Sequence, residues 1–125
     1  MEIQKFLIVD DVSSFRLILR QILQKHDGWI VVGDAHNGVE AVERVLELTP
    51  DVVLMDVAMP LRNGIEATRQ IKQILPQTRI VLFSGHFDDE FRREGIRAGA
   101  DAFLYKEDID TVTLKDVLKE HGNRK

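Results

Sequence analysis

Val52-Val53-Leu54-Met55 is an unbroken run of four apolar residues that stops at Asp56. A strand with one wet face would alternate apolar and polar residues. A continuous run is what a parallel strand covered on both faces requires. Four other runs have the same character: Phe6-Leu7-Ile8-Val9, Trp29-Ile30-Val31-Val32, Ile80-Val81-Leu82-Phe83 and Ala102-Phe103-Leu104-Tyr105.

Stretches with helical spacing separate them. Leu17, Ile18, Ile22 and Leu23 mark the first. Val42, Val45, Leu46 and Leu48 mark the second, with Glu40 placed like the acid of a capping box. Ile65, Thr68, Ile71 and Leu75 mark the third, stopped by Pro76. Phe91, Gly95 and Ala98 mark the fourth, with Gly99 as its C-terminal cap. Val112, Val117 and Leu118 mark the fifth, with Thr111 as its N-cap. Strict strand–helix alternation predicts a doubly wound α/β fold, (βα)5, with helices on both faces of a parallel five-stranded sheet. Right-handed crossovers favour the flavodoxin-like order 2-1-3-4-5.

The bulk numbers fit one domain spanning 1–125. The chain is 44% hydrophobic and 30% charged, enough for a core and a solvated surface. It has no cysteine, which excludes disulfides and thiolate metal sites. The net charge of -4 and the lack of a basic patch argue against direct nucleic-acid binding. No apolar run approaches a membrane span, and the N-terminal apolar segment is too short for a signal peptide, so the cytoplasm is the expected location.

In a sheet of this kind, ligands bind beyond the C-terminal strand ends at the switch point between strands 1 and 3. Strand 1 ends in Asp10-Asp11, strand 3 in Asp56, strand 4 in Ser84-Gly85 and strand 5 in Lys106. Three crowded carboxylates repel one another by about 3 kcal/mol per pair at ~5 Å and an effective dielectric of ~20. A divalent cation relieves this, and all-oxygen ligation suits Mg2+ or Mn2+. With Lys106 it would make Asp56 a nucleophile toward a phosphoryl donor, Ser84 would bond a phosphoryl oxygen, and Gly85 would permit close backbone approach. Taken singly, each residue reads as blandly as a turn aspartate or a solvated lysine. Their joint placement at four strand ends carries the functional reading.

At these residues the chain resembles response regulator receiver domains of the CheY-like superfamily. The likeness is carried by Ile8-Val9-Asp10-Asp11, the stretch from Pro50 through Asp56 to Pro60, Asn63-Gly64-Ile65-Glu66-Ala67-Thr68, Ser84-Gly85, and Gly99 through Lys106. Val32 through Gly38 and Gly64 through Thr68 look most like the NarL/FixJ-type subfamily. The resemblance implies Asp56 as phosphoacceptor, with a histidine kinase or phosphotransfer protein as donor and an output domain or effector as downstream partner. It implies Mg2+ held by Asp10, Asp11, Asp56 and the backbone carbonyl of Ala58. It implies Lys106 on the phosphoryl group, and Ser84 and Phe103 as switch residues, Phe103 turning inward as the surface of helix 4, strand 5 and helix 5 changes. Such a protein catalyses only its own phosphorylation and dephosphorylation. Dimerisation on phosphorylation is compatible with the family but not legible in these residues.

Departures from the family pattern are specific. Glu107 follows the lysine where proline is common, so that peptide bond is expected to be trans. Phe103 lacks the hydroxyl of the commoner tyrosine. Ala58 and His86 stand at positions that tune phosphoryl lifetime in the family. Two other classes compete. A phosphohydrolase with Asp10 as nucleophile would usually show Asp-x-Asp, not the adjacent pair Asp10-Asp11. A phosphorylation-independent interaction module would usually lack an acid or the lysine. No Gly-x-Gly-x-x-Gly follows strand 1, which speaks against a dinucleotide site. Trp29 reads as core, Tyr105 as shared between packing and an output surface, and Arg92-Arg93 with Asp88-Asp89-Glu90 as a solvated helix face. His26, His36 and His121 read as surface or loop residues, and no histidine pair has zinc spacing. The tail beyond Leu118 reads as frayed and too short for an output domain, which inclines the expectation toward a stand-alone receiver.

Overall fold

The computed structural model describes residues 2–59, 63–86 and 89–122, with side chains through Leu118. Pro60, Asp88, the side chain of His121 and the tail 123–125, all interpreted above, lie outside the described residues.

Five strands form: β1 (Gln4–Val9), β2 (Trp29–Ala35), β3 (Val52–Asp56), β4 (Arg79–Ser84) and β5 (Ala102–Tyr105). Five helices alternate with them: α1 (Ser13–Gln24), α2 (Gly38–Leu48), α3 (Gly64–Ile74), α4 (Asp89–Arg97) and α5 (Thr111–Gly122). The strands make one sheet in the order β2-β1-β3-β4-β5, every pairing parallel.

The period of two sorts the core into two layers. Leu7, Val9, Val53, Met55, Ile80, Leu82 and Phe103 face one side, where Ala41 and Val45 of α2 and Ile65, Ala67 and Ile71 of α3 cover them. Phe6, Ile8, Val52, Leu54, Val81 and Phe83 face the other, under Leu19 and Leu23 of α1 and Leu114 and Leu118 of α5. That two-sided burial explains why the strand sequences do not alternate. Trp29 is core as expected, with its ring 5.0 Å from that of Phe6 and stacked on His26.

Several helix expectations are corrected. Leu17, Ile18, Leu46 and Val112 point outward; α1 instead buries Leu19 and Leu23, and α5 buries Leu114 and Leu118. Asp110, not Thr111, caps α5, accepting the Thr113 N–H at 2.7 Å. The Thr111 hydroxyl donates to the Ile22 carbonyl near the C-terminus of α1. Glu40 reaches the N–H of His36, one residue before the Asn37 N-cap. Gly99 ends the α4 segment at φ +114°, as its cap role requires. The Lys106–Glu107 bond is trans, as expected, and a short 3-10 turn (Lys106–Asp108) follows β5.

Two glycines at the strand ends have different meanings. A Cβ at Gly64 would stand 2.2 Å from the Asp56 carbonyl oxygen, so glycine lets α3 start directly against the end of β3. The Gly64 N–H also donates to the Val57 carbonyl at 2.9 Å. A Cβ at Gly85 would meet only Lys106 Cδ at 3.9 Å, an ordinary contact, so the expected close backbone approach there is not found. Urea unfolding should therefore separate the two. Gly64→Ala should lose about 2–3 kcal/mol through forced overpacking, whereas Gly85→Ala should stay within about 0.5 kcal/mol of the parent.

Candidate functional site

Parallel pairing brings every strand's C-terminal end to one edge. β3 and β4 pair with Asp56 opposite Phe83, and β4 and β5 with Ser84 opposite Tyr105. The Asp10 N–H extends the β1 ladder by donating to the Ala35 carbonyl at 3.1 Å. The acids of strands 1 and 3 and the lysine after strand 5 therefore converge without any long loop.

Asp10 is fully buried. Its Oδ1 accepts the Val12 N–H at 2.8 Å, and its backbone carbonyl accepts Arg16 Nη1 at 2.6 Å. The Arg16 guanidinium also lies 3.8 Å from Asp34. Asp10 Oδ2 has no hydrogen bond, but the Lys106 ammonium faces it as a charge at 3.1 Å. Asp56, at the end of β3, is also buried. Its Oδ1 accepts the Ala58 N–H at 3.2 Å, and its Oδ2 lies 3.3 Å from the same ammonium. Asp11 is exposed on the rim, in a groove it shares with Ala58, Met59 and Asn63.

Burial pushes the Asp56 carboxyl up to about 6 from its usual 3.8, and Asp10 adds to the rise. Lys106 and the Ala58 N–H oppose it. For Lys106, burial alone would lower the ammonium pKa, but Asp56 and Asp10 outweigh it and the net direction is upward. The site thus holds more negative charge than one ammonium can balance.

Asp10, Asp11 and Asp56 each offer a carboxylate oxygen within 4.8 Å of the others. An all-oxygen donor set of this size, with one buried oxygen lacking a hydrogen bond, fits a hard divalent cation such as Mg2+. The described residues contain no other group of acids, histidines or cysteines arranged in this way.

Ser84 is buried at the end of β4, and its Oγ accepts the His86 N–H at 3.1 Å. A hydroxyl that accepts one bond keeps its own O–H for another partner. The β4 alternation places Ser84 with Ile80 and Leu82, on the side covered by α3 and α4, and Phe103 shares that side. The Phe103 ring is already inward: it is buried beside Gly95 of α4 and edge-on to Tyr105 at 6.0 Å. The expected inward turn therefore does not start from this state. Arg16 and Gly64 were not singled out from the sequence. A glycine just after the Asn63 N-cap, where a helix former would do better, was the available signal for Gly64. Arg16 carried none, because its role depends on a backbone carbonyl.

The geometry agrees with what the chain is similar to. A family model for the response regulator receiver domain matches residues 6–119. The chemotaxis protein CheY of Thermotoga maritima is 43% identical over 103 residues, covering 82% of this chain and 85% of that protein. The signal receiver domain of the putative response regulator NarL from Mycobacterium tuberculosis superposes with a TM-score of 0.90 at 29% identity, covering 99% of this chain and 100% of that one. A LuxR-family two-component response regulator from Aurantimonas sp. SI85-9A1 gives 0.88 at 32% identity, with coverage of 98% and 89%. The chain belongs to the response regulator receiver family of two-component signalling, with the CheY-like fold and its likeness on the NarL side of that family.

Proposed function

We propose that residues 1–125 act as a single cytoplasmic receiver domain that takes a phosphoryl group on Asp56 from a phosphohistidine of a kinase or phosphotransfer protein. The observation that supports it best is the Lys106 ammonium lying within 3.3 Å of both Asp10 and Asp56 at the rim where parallel α/β sheets bind ligands. Asp56 attacks phosphorus with one carboxylate oxygen. The new O–P bond forms as the P–N bond breaks, and the donor imidazole leaves and takes up a proton. Lys106 offsets charge on the transferring group, and the free O–H of Ser84 bonds one of its oxygens. Water later hydrolyses the acyl phosphate.

Asp10, Asp11, Asp56 and the carbonyl of Ala58 would hold Mg2+, and Mn2+ suits the same oxygens. When bound, the cation would neutralise charge on the acids and on the phosphoryl oxygens. Asp10 is a poor nucleophile candidate, because it is fully buried and held by Val12 and Lys106. That disfavours a phosphohydrolase built on strand 1. The new group brings about -1.5 to -2 of charge. It would draw Lys106 and Ser84 toward itself and shift the α4–β5–α5 surface, which would control an output partner.

Acetyl phosphate with Mg2+ should add the mass of one phosphoryl group to the intact protein, and Asp56→Ala should take up none. Mass spectrometry decides this, and an adduct that survives Asp56→Ala would remove Asp56 from the role.

Metal-free stability should carry the mark of the buried acid. Ionising Asp56 is harder in the folded chain than in the unfolded one, so stability falls as pH rises from 3.8 through about 6. Asp56→Asn removes that cost. It should stabilise the protein by about 2 kcal/mol above this window and leave it nearly unchanged below it. Denaturant melts across the pH range would show the gain, and an equal gain at both ends would contradict the cause given.

Mg2+ should raise the Tm of the parent protein by binding the folded state alone. Chelation should reverse the rise. Asp10→Asn and Asp56→Asn should each shrink it, and calorimetry measures all three.

A further inference from the structure

We infer that Phe15 is a positioning residue of the phosphoryl-transfer site, its ring face holding the Lys106 ammonium against Asp10 and Asp56. This rests on the reading of Asp56 as phosphoacceptor with Lys106 as its cationic partner.

Lys106 reaches the site on a flexible four-carbon stem, and an ammonium is a compact charge with three donors. Left alone it would sample many rotamers and stay hydrated. Two of its neighbours are the carboxylates at 3.1 and 3.3 Å. The third is aromatic: Nζ lies over the Phe15 ring, 4.5 Å from its centroid. The Phe83 ring follows at 5.7 Å. The two rings are 5.5 Å apart and tilted by 51°, so they form an angled wall behind the ammonium. Both ends of the wall are anchored. Phe83 pairs with Asp56 in the sheet, and Phe15 sits in the first turn of α1, partly buried on the core layer that α1 covers.

Packing alone does not call for a ring at 15. Leucine serves at Leu19 and Leu23 of the same helix, against the same layer. What leucine lacks is a negative π face, and that face attracts a cation within about 6 Å of the centroid. It also denies the space to water. The attraction has no preferred hydrogen-bond direction, so the ammonium stays close to the acids yet can slide when phosphoryl oxygens appear. Arg16, the next residue, fixes the backbone of Asp10 in the same turn of helix. One turn of α1 thereby sets both an acid and, through the ring, its counter-ion.

The test compares the parent with Phe15→Leu, Phe15→Tyr and pentafluorophenylalanine at position 15, which keeps the ring's shape and drains its π face. The rate of adduct formation from acetyl phosphate at saturating Mg2+ should drop about five-fold in the Leu and fluorinated proteins, the size of a partly desolvated cation–π contact. Phe15→Tyr should stay within about two-fold of the parent, because its π face is retained. Proton NMR supplies a readout that needs no phosphorylation. The Lys106 methylene protons next to nitrogen should be shifted upfield by ring current in the parent and return toward ordinary lysine values in Phe15→Leu. Parent-like rates in the fluorinated protein, a Tyr variant as slow as Leu, or an unmoved methylene signal would each overturn the role of Phe15. A parent protein that forms no adduct would instead overturn the phosphoacceptor reading, and the methylene signal would still decide whether the ring holds the lysine.

Discussion

The ammonium of Lys106 between the carboxylates of Asp10 and Asp56 is the interaction on which the site depends. Burying two like charges on adjacent strands of a parallel sheet is unfavourable, and the upward shift of Asp56 records it. One lysine cannot balance both acids, and Asp11 adds a third at the rim. The pocket therefore carries a standing excess of negative charge. That excess is what a divalent cation would relieve, and it makes the pocket responsive to any further change in charge on Asp56.

The sheet divides the labour. By alternation Asp56 continues the layer of Val52 and Leu54, beneath α1 and α5, and the rings beside Lys106 lie on that same side. Ser84 and Phe103 continue the opposite layer, toward α3 and α4. Charge chemistry and the switch residues thus occupy opposite faces of the same strand ends. The link between them is short, because Asp56 pairs with Phe83 and Ser84 is the next residue along β4.

Strand positions were legible because burial on both faces leaves a run of branched residues that few other structures need. The acids and Lys106 were legible because a parallel sheet delivers every strand end to one edge. Helix faces were harder. In α1 the apolar residues Phe15, Leu17, Ile18, Leu19, Ile22 and Leu23 cover more of the circumference than the sheet can bury, and only docking chooses Leu19 and Leu23. Asp110 and Thr111 are both good N-cap residues, and their order along the helix start was decided by the Ile22 carbonyl waiting for the threonine hydroxyl. Gly64 looked like part of a motif, whereas the reason for it is the carbonyl of Asp56 beneath it. The ring of Phe15 looked like core because nothing local announces a lysine from the far end of the chain.

Lys106 also explains how an event on Asp56 would reach the far side of the domain. It follows directly on Tyr105, the last residue of β5, and it opens the 3-10 turn that leads toward α5. Tyr105 in turn meets the edge of the buried Phe103 ring against α4. An ammonium fixed by directional hydrogen bonds on every side would resist displacement. One held by two carboxylates and an aromatic face can follow the charge when a carboxylate becomes an acyl phosphate, because the Coulomb attraction moves with the phosphoryl oxygens and the π contact does not fix a direction. Movement of Nζ would then be felt by the backbone that joins β5 to α5 and, through Tyr105, by the ring packed on α4. The same side chain that stabilises the unphosphorylated acids would thus transmit their modification.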